Sequence, residues 1–237
     1  MNSSVLAYLE NSAEYFPEKC AVTDEKVSYS YSELVKLSSS VGTALSELIA
    51  SGDAVAAFFA TVYAGGFYSV LNTELPQNRL QTTVSVLNPK VIVTSESLLE
   101  TAKEYFSERK IVTFEDLAKS EPDYAKLGEI RSHKIDTDPL YINFTSGSTG
   151  TPKGIVVCHR SVIDFIDHFT EIFGIDNNDV IANQAPFDFD VSVKDIYSAV
   201  KTGATLVVVP RRMFSAPAEL IDFICDRRIT VMIWAVS

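Results

Sequence analysis

Tyr141–Gly154 reads YINFTSGSTGTPKG. Four residues of strand-like character run into a string of hydroxyls and glycines, which closes on Pro152, Lys153 and Gly154. Glycine lets backbone N–H groups approach an anion with no Cβ in the way. The Ser and Thr hydroxyls add donors that rotate to suit, and Lys153 brings a full positive charge. Such a loop suits a pyrophosphate or triphosphate whose charge moves during reaction. It is not a Walker A loop. That pattern needs Gly-Lys-Ser/Thr opening a helix, whereas Lys153 stands between Pro152 and Gly154 with a strand expected after it. The plainer reading is a flexible hairpin turn. The apolar strand before the loop and the Pro-Lys-Gly closure argue against it.

Outward from the loop, helical and strand patterns alternate. The spacing predicts a first helix over Ser4–Phe16, stopped by Pro17, and short strands at Ala21–Thr23 and Val27–Tyr29. Ser30 and Glu33 have the spacing of a capping box, ahead of apolar residues at Leu34, Leu37, Val41, Leu45 and Leu48. A helix over Ala54–Ala64, a strand over Phe67–Leu71, a helix from Pro76 and a strand over Val91–Thr94 follow. Ser97–Phe106 reads as a helix and Ile111–Phe114 as a strand. Glu115–Asp138 is polar and reads as a loop-rich boundary. Strands at Tyr141–Thr145 and Ile155–Cys158 flank the quoted loop. Beyond them come helices over Ser161–Phe173, Ser192–Thr202 and Ala218–Arg227, and strands over Val180–Asn183, Thr205–Val209 and Val231–Ala235. This alternation predicts an α/β fold with layered, mostly parallel sheet flanked by helices.

Composition narrows the partners. The 237 residues are 46% hydrophobic and 22% charged, enough for a sizeable core. A net charge of −11 argues against nucleic acid or an anionic membrane as the main partner, though a few local donors can still hold a small anion. The cysteines Cys20, Cys158 and Cys225 are odd in number and without metal spacing, which fits a reducing cytoplasm. Neither a signal peptide nor a membrane span is evident. His133 and His168 read as surface groups, His159 as structural, Cys158 and Trp234 as core, and Arg211-Arg212 as a solvated turn.

Four stretches carry a family resemblance. SGSTGTPKG (Ser146–Gly154) resembles the phosphate-binding signature of adenylate-forming enzymes. These include adenylation domains of nonribosomal peptide synthetases, D-alanine–carrier-protein ligases, acyl-CoA synthetases and luciferases. YSYSEL (Tyr29–Leu34), YAGGFYSVLNTELPQNRL (Tyr63–Leu80) and FDFDVS (Phe187–Ser192) resemble further motifs of the family, in the family's order. The resemblance implies that ATP phosphates are held by Thr145, Ser146, Gly147, Ser148, Thr149, Gly150, Thr151, Lys153 and Gly154, with Thr149 and Lys153 catalytic. It also implies Mg²⁺, and a phosphopantetheine thiol on a carrier protein as acceptor. No metal site is expected from this chain's own residues.

FDFDVS sits just before a helix. An aspartate there commonly serves as a helix cap. In the amino-acid-activating branch, the aspartate matching Asp190 binds the substrate α-ammonium, and Phe189 and Lys194 fall in the same substrate-binding stretch. Lys194 lies one turn beyond Asp190. It could favour an acidic or polar side chain, pair internally with Asp190, or lie at the surface. The expected activity is therefore formation of an aminoacyl-adenylate and pyrophosphate from ATP and an amino acid. The alternatives are an acyl- or aryl-CoA synthetase and a degenerate, non-catalytic binding fragment.

Two departures from the family matter. A strand normally separates the YSYSEL helix from the helix before the second motif. Here only IASGD (Ile49–Asp53) does so, and residues skipped in this sequence explain that better than loss of a central strand. The chain also ends before the motifs that hold adenine, ribose and Mg²⁺, and before the hinge and mobile C-terminal domain. The expectation is an incomplete large domain over 1–237, with subdomains 1–138 and 139–237, that does not turn over alone.

Overall fold

The computed structural model of this chain describes residues 4–45, 54–145 and 152–233. The first half contains α1 (Leu6–Tyr15), β1 (Cys20–Thr23), β2 (Ser28–Ser30), α2 (Tyr31–Leu45), α3 (Ala54–Tyr63), α4 (Gln77–Leu87), β3 (Ile92–Thr94), α5 (Leu99–Tyr105), β4 (Ile111–Thr113) and α6 (Phe114–Leu117). The second contains α7 (Tyr124–Ser132), β5 (Pro139–Thr145), β6 (Lys153–Cys158), α8 (His159–Phe173), β7 (Val180–Asn183), α9 (Ser192–Thr202), β8 (Thr205–Val208), α10 (Pro217–Asp226) and β9 (Val231–Met232). The chain forms two compact units, one from Met1–Val35 with Arg160–Ser237 and one from Lys36–His159.

The first unit is built on a five-stranded sheet in the order β2-β1-β8-β7-β9. All pairings are parallel except β1 with β2. Side chains alternate across a sheet, so Ala182 and Val207 share one face and Ile181 and Leu206 the other. Ala182 and Val207 join Met213, Leu220 and Phe223 in one buried cluster, which places α10 on their face. Helix α9 packs on β7 and β8, and α1 packs on α9. The start of α2 is fixed locally by the expected box: Ser30 N–H donates to Glu33 Oε2 at 2.8 Å, and Glu33 N–H donates to Ser30 Oγ at 3.3 Å.

The second unit contains the antiparallel pair β5–β6, running from Pro139 opposite Cys158 to Thr145 opposite Lys153. It also holds the parallel pair β3–β4. Helix α3 is buried at every residue from Val55 to Tyr63, as expected of an apolar helix without a polar face. A cavity of about 860 Å³ is lined by Phe67, Tyr68 and Leu71 from one stretch and by Ile92, Val93 and Leu98 from another.

Three expectations need correction. Phe67–Leu71 does not form a strand; Tyr68 makes an isolated parallel bridge to Tyr141. A strand is stabilised by ladder partners, and among the described residues this segment has only that one. The polar stretch 115–138 is not a loop, because it contains most of α6 and all of α7, each begun by a side-chain cap from Thr113 and Asp123 respectively. The compact units also do not divide at 138/139. Leu140 and Ile142 share backbone hydrogen bonds with Tyr68, which ties β5 to the segment before it. Ile49–Asp53 lies outside the described residues.

Candidate functional site

The two halves of the expected site fall in different units, and each is taken by itself. In the second unit, Thr145 and Lys153 face each other as the last rung of the β5–β6 ladder. The antiparallel ladder brings the two feet of the glycine-rich loop together. Ser146, Gly147, Ser148, Thr149, Gly150 and Thr151 lie outside the described residues. Strand β6 follows Pro152 directly, as the Pro-Lys-Gly closure predicts, and it distinguishes this loop from one that opens a helix. Lys153 is exposed and has no ion-pair partner among the described residues. Gly154 packs closely on β5: a Cβ there would stand 3.0 Å from Ile142 Cγ2 and 3.3 Å from the Phe144 ring. A larger residue would need these two side chains to give way by a few tenths of an ångström beside Lys153.

In the first unit, α9 and α10 lie on opposite faces of the sheet. The segments that follow β7 and β8 leave the carboxyl ends of these parallel strands, the end at which open α/β sheets bind ligands. The segment that leaves β7 here carries Phe189 and Asp190. It folds as a turn, in which Phe189 N–H donates to the Pro186 carbonyl at 2.9 Å and Ser192 N–H to the Phe189 carbonyl at 3.0 Å. The cap position of α9 is Val191, and no side chain caps it. Asp190 is thus not used as a helix cap. Its carboxylate is exposed and has no hydrogen-bond or ion-pair partner among the described residues. Phe189 is 57% exposed.

Lys194 does not pair with Asp190 and does not lie at the surface. Its side chain is 10% exposed, and Nζ lies 2.9 Å from Asp195 Oδ1. Asp195 is 1% exposed, and its Oδ2 accepts from Asn183 Nδ2 at 3.1 Å. Asn183 ends β7, so this triad ties the strand's carboxyl end to the first turn of α9. Burial raises the Asp195 carboxyl pKa above its usual value, while the charge and hydrogen bond of Lys194 and the bond from Asn183 oppose the rise. Sequence reasoning missed Asp195 and Asn183. An acid next to a lysine on a helix ordinarily points along a different face.

The remaining candidates take structural roles. His159 is buried, and its pKa is lowered to about 4, first by burial; nearby Asp138 opposes this. Arg212 forms a salt bridge with Glu25. Cys158 is half-buried rather than buried. Trp234 lies outside the described residues. No group of His, Cys, Asp or Glu among the described residues could hold a metal, and no described helix is long and apolar enough to cross a membrane.

A family model described as "AMP-binding enzyme" matches residues 9–236. The chain is 24% identical to tyrocidine synthase 1 of Brevibacillus parabrevis over 241 residues, covering 97% of this chain and 22% of that protein. It is 31% identical to the D-alanine–D-alanyl carrier protein ligase of Staphylococcus aureus (strain bovine RF122 / ET3-1) over 175 residues, covering 73% of this chain and 34% of the ligase. The chain therefore spans about a fifth to a third of these two relatives' lengths. Among solved structures, the nonribosomal peptide synthetase FmoA3 in its α-methyl-L-serine-AMP-bound form superposes with a TM-score of 0.82 at 20% identity, over 96% of this chain and 26% of that one.

Proposed function

The chain belongs to the AMP-binding enzyme family, and from that membership we propose that it is the N-terminal part of an amino acid adenylation enzyme. The observation that carries this reading is the carboxylate of Asp190 beyond the carboxyl end of β7, exposed and with no partner among the described residues, and not used to cap α9. A carboxylate so placed pairs with the α-ammonium of an amino acid, and a fatty or aryl acid has no such group to offer. The kinship to a peptide synthetase and to a D-alanyl carrier protein ligase points the same way.

In the reaction, a carboxylate oxygen of the amino acid attacks the α-phosphorus of ATP. A new P–O bond forms, the bond to the β-phosphate's bridging oxygen breaks, and pyrophosphate leaves. The substrate is its own nucleophile, so no side-chain nucleophile is required. Thr145, Ser146, Ser148, Thr149, Thr151 and Lys153 hold the β- and γ-phosphates and stabilise the leaving pyrophosphate. Gly147, Gly150 and Gly154 keep Cβ atoms out of the way. Mg²⁺, when bound, would neutralise phosphate charge. Phe189 and Lys194 line the substrate pocket beside Asp190. A phosphopantetheine thiol on a carrier protein then attacks the adenylate's carbonyl carbon in the cytoplasm; the C–S bond forms, the acyl–phosphate C–O bond breaks, and AMP leaves.

The test is amino-acid-dependent ATP–pyrophosphate exchange by the complete protein, with Mg²⁺, across the common amino acids. Exchange with at least one amino acid, lost in Asp190→Ala, is the expected result. Exchange supported only by fatty or aryl acids and unaffected by Asp190→Ala would replace this reading with an acyl-CoA synthetase. No exchange with any acid would leave a binding role.

A further inference from the structure

We infer that the cavity of the second unit is the seat of one more β-strand, an apolar segment of the complete protein that leads into α3. The inference stands on the cavity's walls and does not rest on the adenylation reading. Protein interiors pack like organic crystals, with few voids larger than a water molecule. A space of about 860 Å³ is therefore a place for an occupant. Two of its walls are stretches of chain, 67–71 on one side and β3 with Val91 before it on the other. Tyr68 N–H donates to the Leu140 carbonyl at 3.2 Å, and the Tyr68 carbonyl accepts from Ile142 N–H at 2.8 Å. Backbone groups of an extended chain turn to alternate sides, so those of Phe67 and Ser69 turn away from β5. Ile92 N–H donates to the Lys110 carbonyl at 2.9 Å, toward β4, which turns the groups of Val91 to the other edge of β3. That edge carries no ladder among the described residues. Two open strand edges thus border one cavity. The hydroxyl of Ser69, which lines it, is buried and lacks a hydrogen-bond partner among the described residues. A strand brings backbone donors and acceptors to both edges and to this hydroxyl, which a hydrocarbon ligand cannot do.

Chain order names the occupant. Helix α5 connects the parallel neighbours β3 and β4, and α4 connects 67–71 to β3. Helix α3, of 10 residues, runs into 67–71, as the helix of a strand–helix–strand crossover does. Consecutive strands of such crossovers tend to lie side by side, so a strand preceding α3 belongs next to 67–71 and parallel to it, in the cavity. The link IASGD (Ile49–Asp53) offers no run of β-branched residues. The occupant is therefore a segment of about five residues, the common strand length, that this sequence lacks between Leu45 and Ala54.

The test inserts Val-Thr-Val-Leu-Val-Gly-Asn-Ser between Asp53 and Ala54 of the 237-residue chain and follows amide hydrogen exchange and ANS fluorescence. The insert supplies a strand, then a turn and a helix cap. Exchange at the Phe67, Ser69 and Val91 amides should slow at least ten-fold, and ANS emission should fall at least three-fold. The same insert with proline as its third residue cannot complete the ladder and should do neither. If the insertion does not fold, the unaltered chain is given the strand portion as a free, end-capped peptide, with the same readings expected. Unchanged exchange at those amides overturns the inference. Equal protection by the proline insert overturns it too, since that means apolar filling without a ladder. Myristate that displaces ANS from the unaltered chain, where the peptide does not, would make the cavity a fatty acid site instead. In the complete protein, tandem mass spectrometry of the peptide joining Leu45 to Ala54 should show the additional residues. A join identical to this sequence would overturn the inference and leave adenylation untouched.

Discussion

The phenol of Tyr31, the first residue of α2, donates to the carbonyl of Ala204 at 2.6 Å and lies 2.8 Å from that of Ala199. Tyr31 is fully buried, so one hydroxyl proton serves two carbonyls on the turn that ends α9. Tyr31→Phe leaves the Ala204 carbonyl without this donor and should destabilise the first unit by about 1–3 kcal/mol in urea denaturation. Burial also holds the Tyr31 proton far above the ordinary phenol range. The unfolded phenol ionises near ~10. Above that pH the unfolded state binds fewer protons, so stability falls as pH rises. The fall should be shallower in Tyr31→Phe.

Gly203 and Gly174 offer a matched pair. Both have positive φ, at 75° and 63°. A Cβ on Gly203 would lie 2.5 Å from Phe16 Cδ2, whereas one on Gly174 meets nothing within 4 Å. Gly174→Ala should cost about 1 kcal/mol, the left-handed strain alone. Gly203→Ala should cost roughly 2–4 kcal/mol, because overpacking adds to that strain. Equal shifts in thermal melting would refute the clash.

His159 should give an acid-side dependence. Its folded pKa is lowered to about 4, chiefly by burial, with Lys134 adding to the effect and Asp138 and Asp136 opposing it. The unfolded imidazole titrates near ~6.5. Between these values the unfolded state binds more protons, so the neutral folded form loses stability as pH falls from about 6.5 to about 4, by up to ~3 kcal/mol. Denaturation midpoints of His159→Gln should be flatter over that window than those of the unaltered protein.

Lys153 and Asp190 should separate by kinetic signature in the complete protein. Lys153→Ala should lower exchange about 10²-fold with every amino acid, as loss of a donor to developing phosphate charge does. Asp190→Asn should raise KM for the amino acid and leave KM for ATP unchanged. A rise confined to the KM for ATP in Asp190→Asn would contradict its proposed place at the ammonium.

Local chemistry made much of this fold readable. The Ser30–Glu33 box, the strand after Pro152 and the helix at Ser192 each depend on a few adjacent residues, and each stands where the pattern puts it. Phe67–Leu71 looked equally strand-like, but a strand needs a neighbour, and pattern alone does not reveal whether one arrives. Helix α7 was obscured by a weak apolar stripe, with Leu127 its only buried residue. The partner of Lys194 was hidden for a related reason. Two consecutive helical residues meet only because burial leaves the ammonium nowhere better to go and Asn183 arrives from a distant strand.

The interior position of β1, between β2 and β8, bears on how the molecule is made. Thr205 Oγ1, at the start of β8, donates to the Cys20 carbonyl at 2.8 Å across 185 positions of sequence. A ribosome adding about 5–20 residues per second leaves the early hairpin without that neighbour for roughly ten to forty seconds. Throughout the interval the nascent chain presents an open strand edge and the apolar face of α1. Slow elongation or a holding chaperone should therefore govern yield more strongly than the equilibrium stability of the finished sheet.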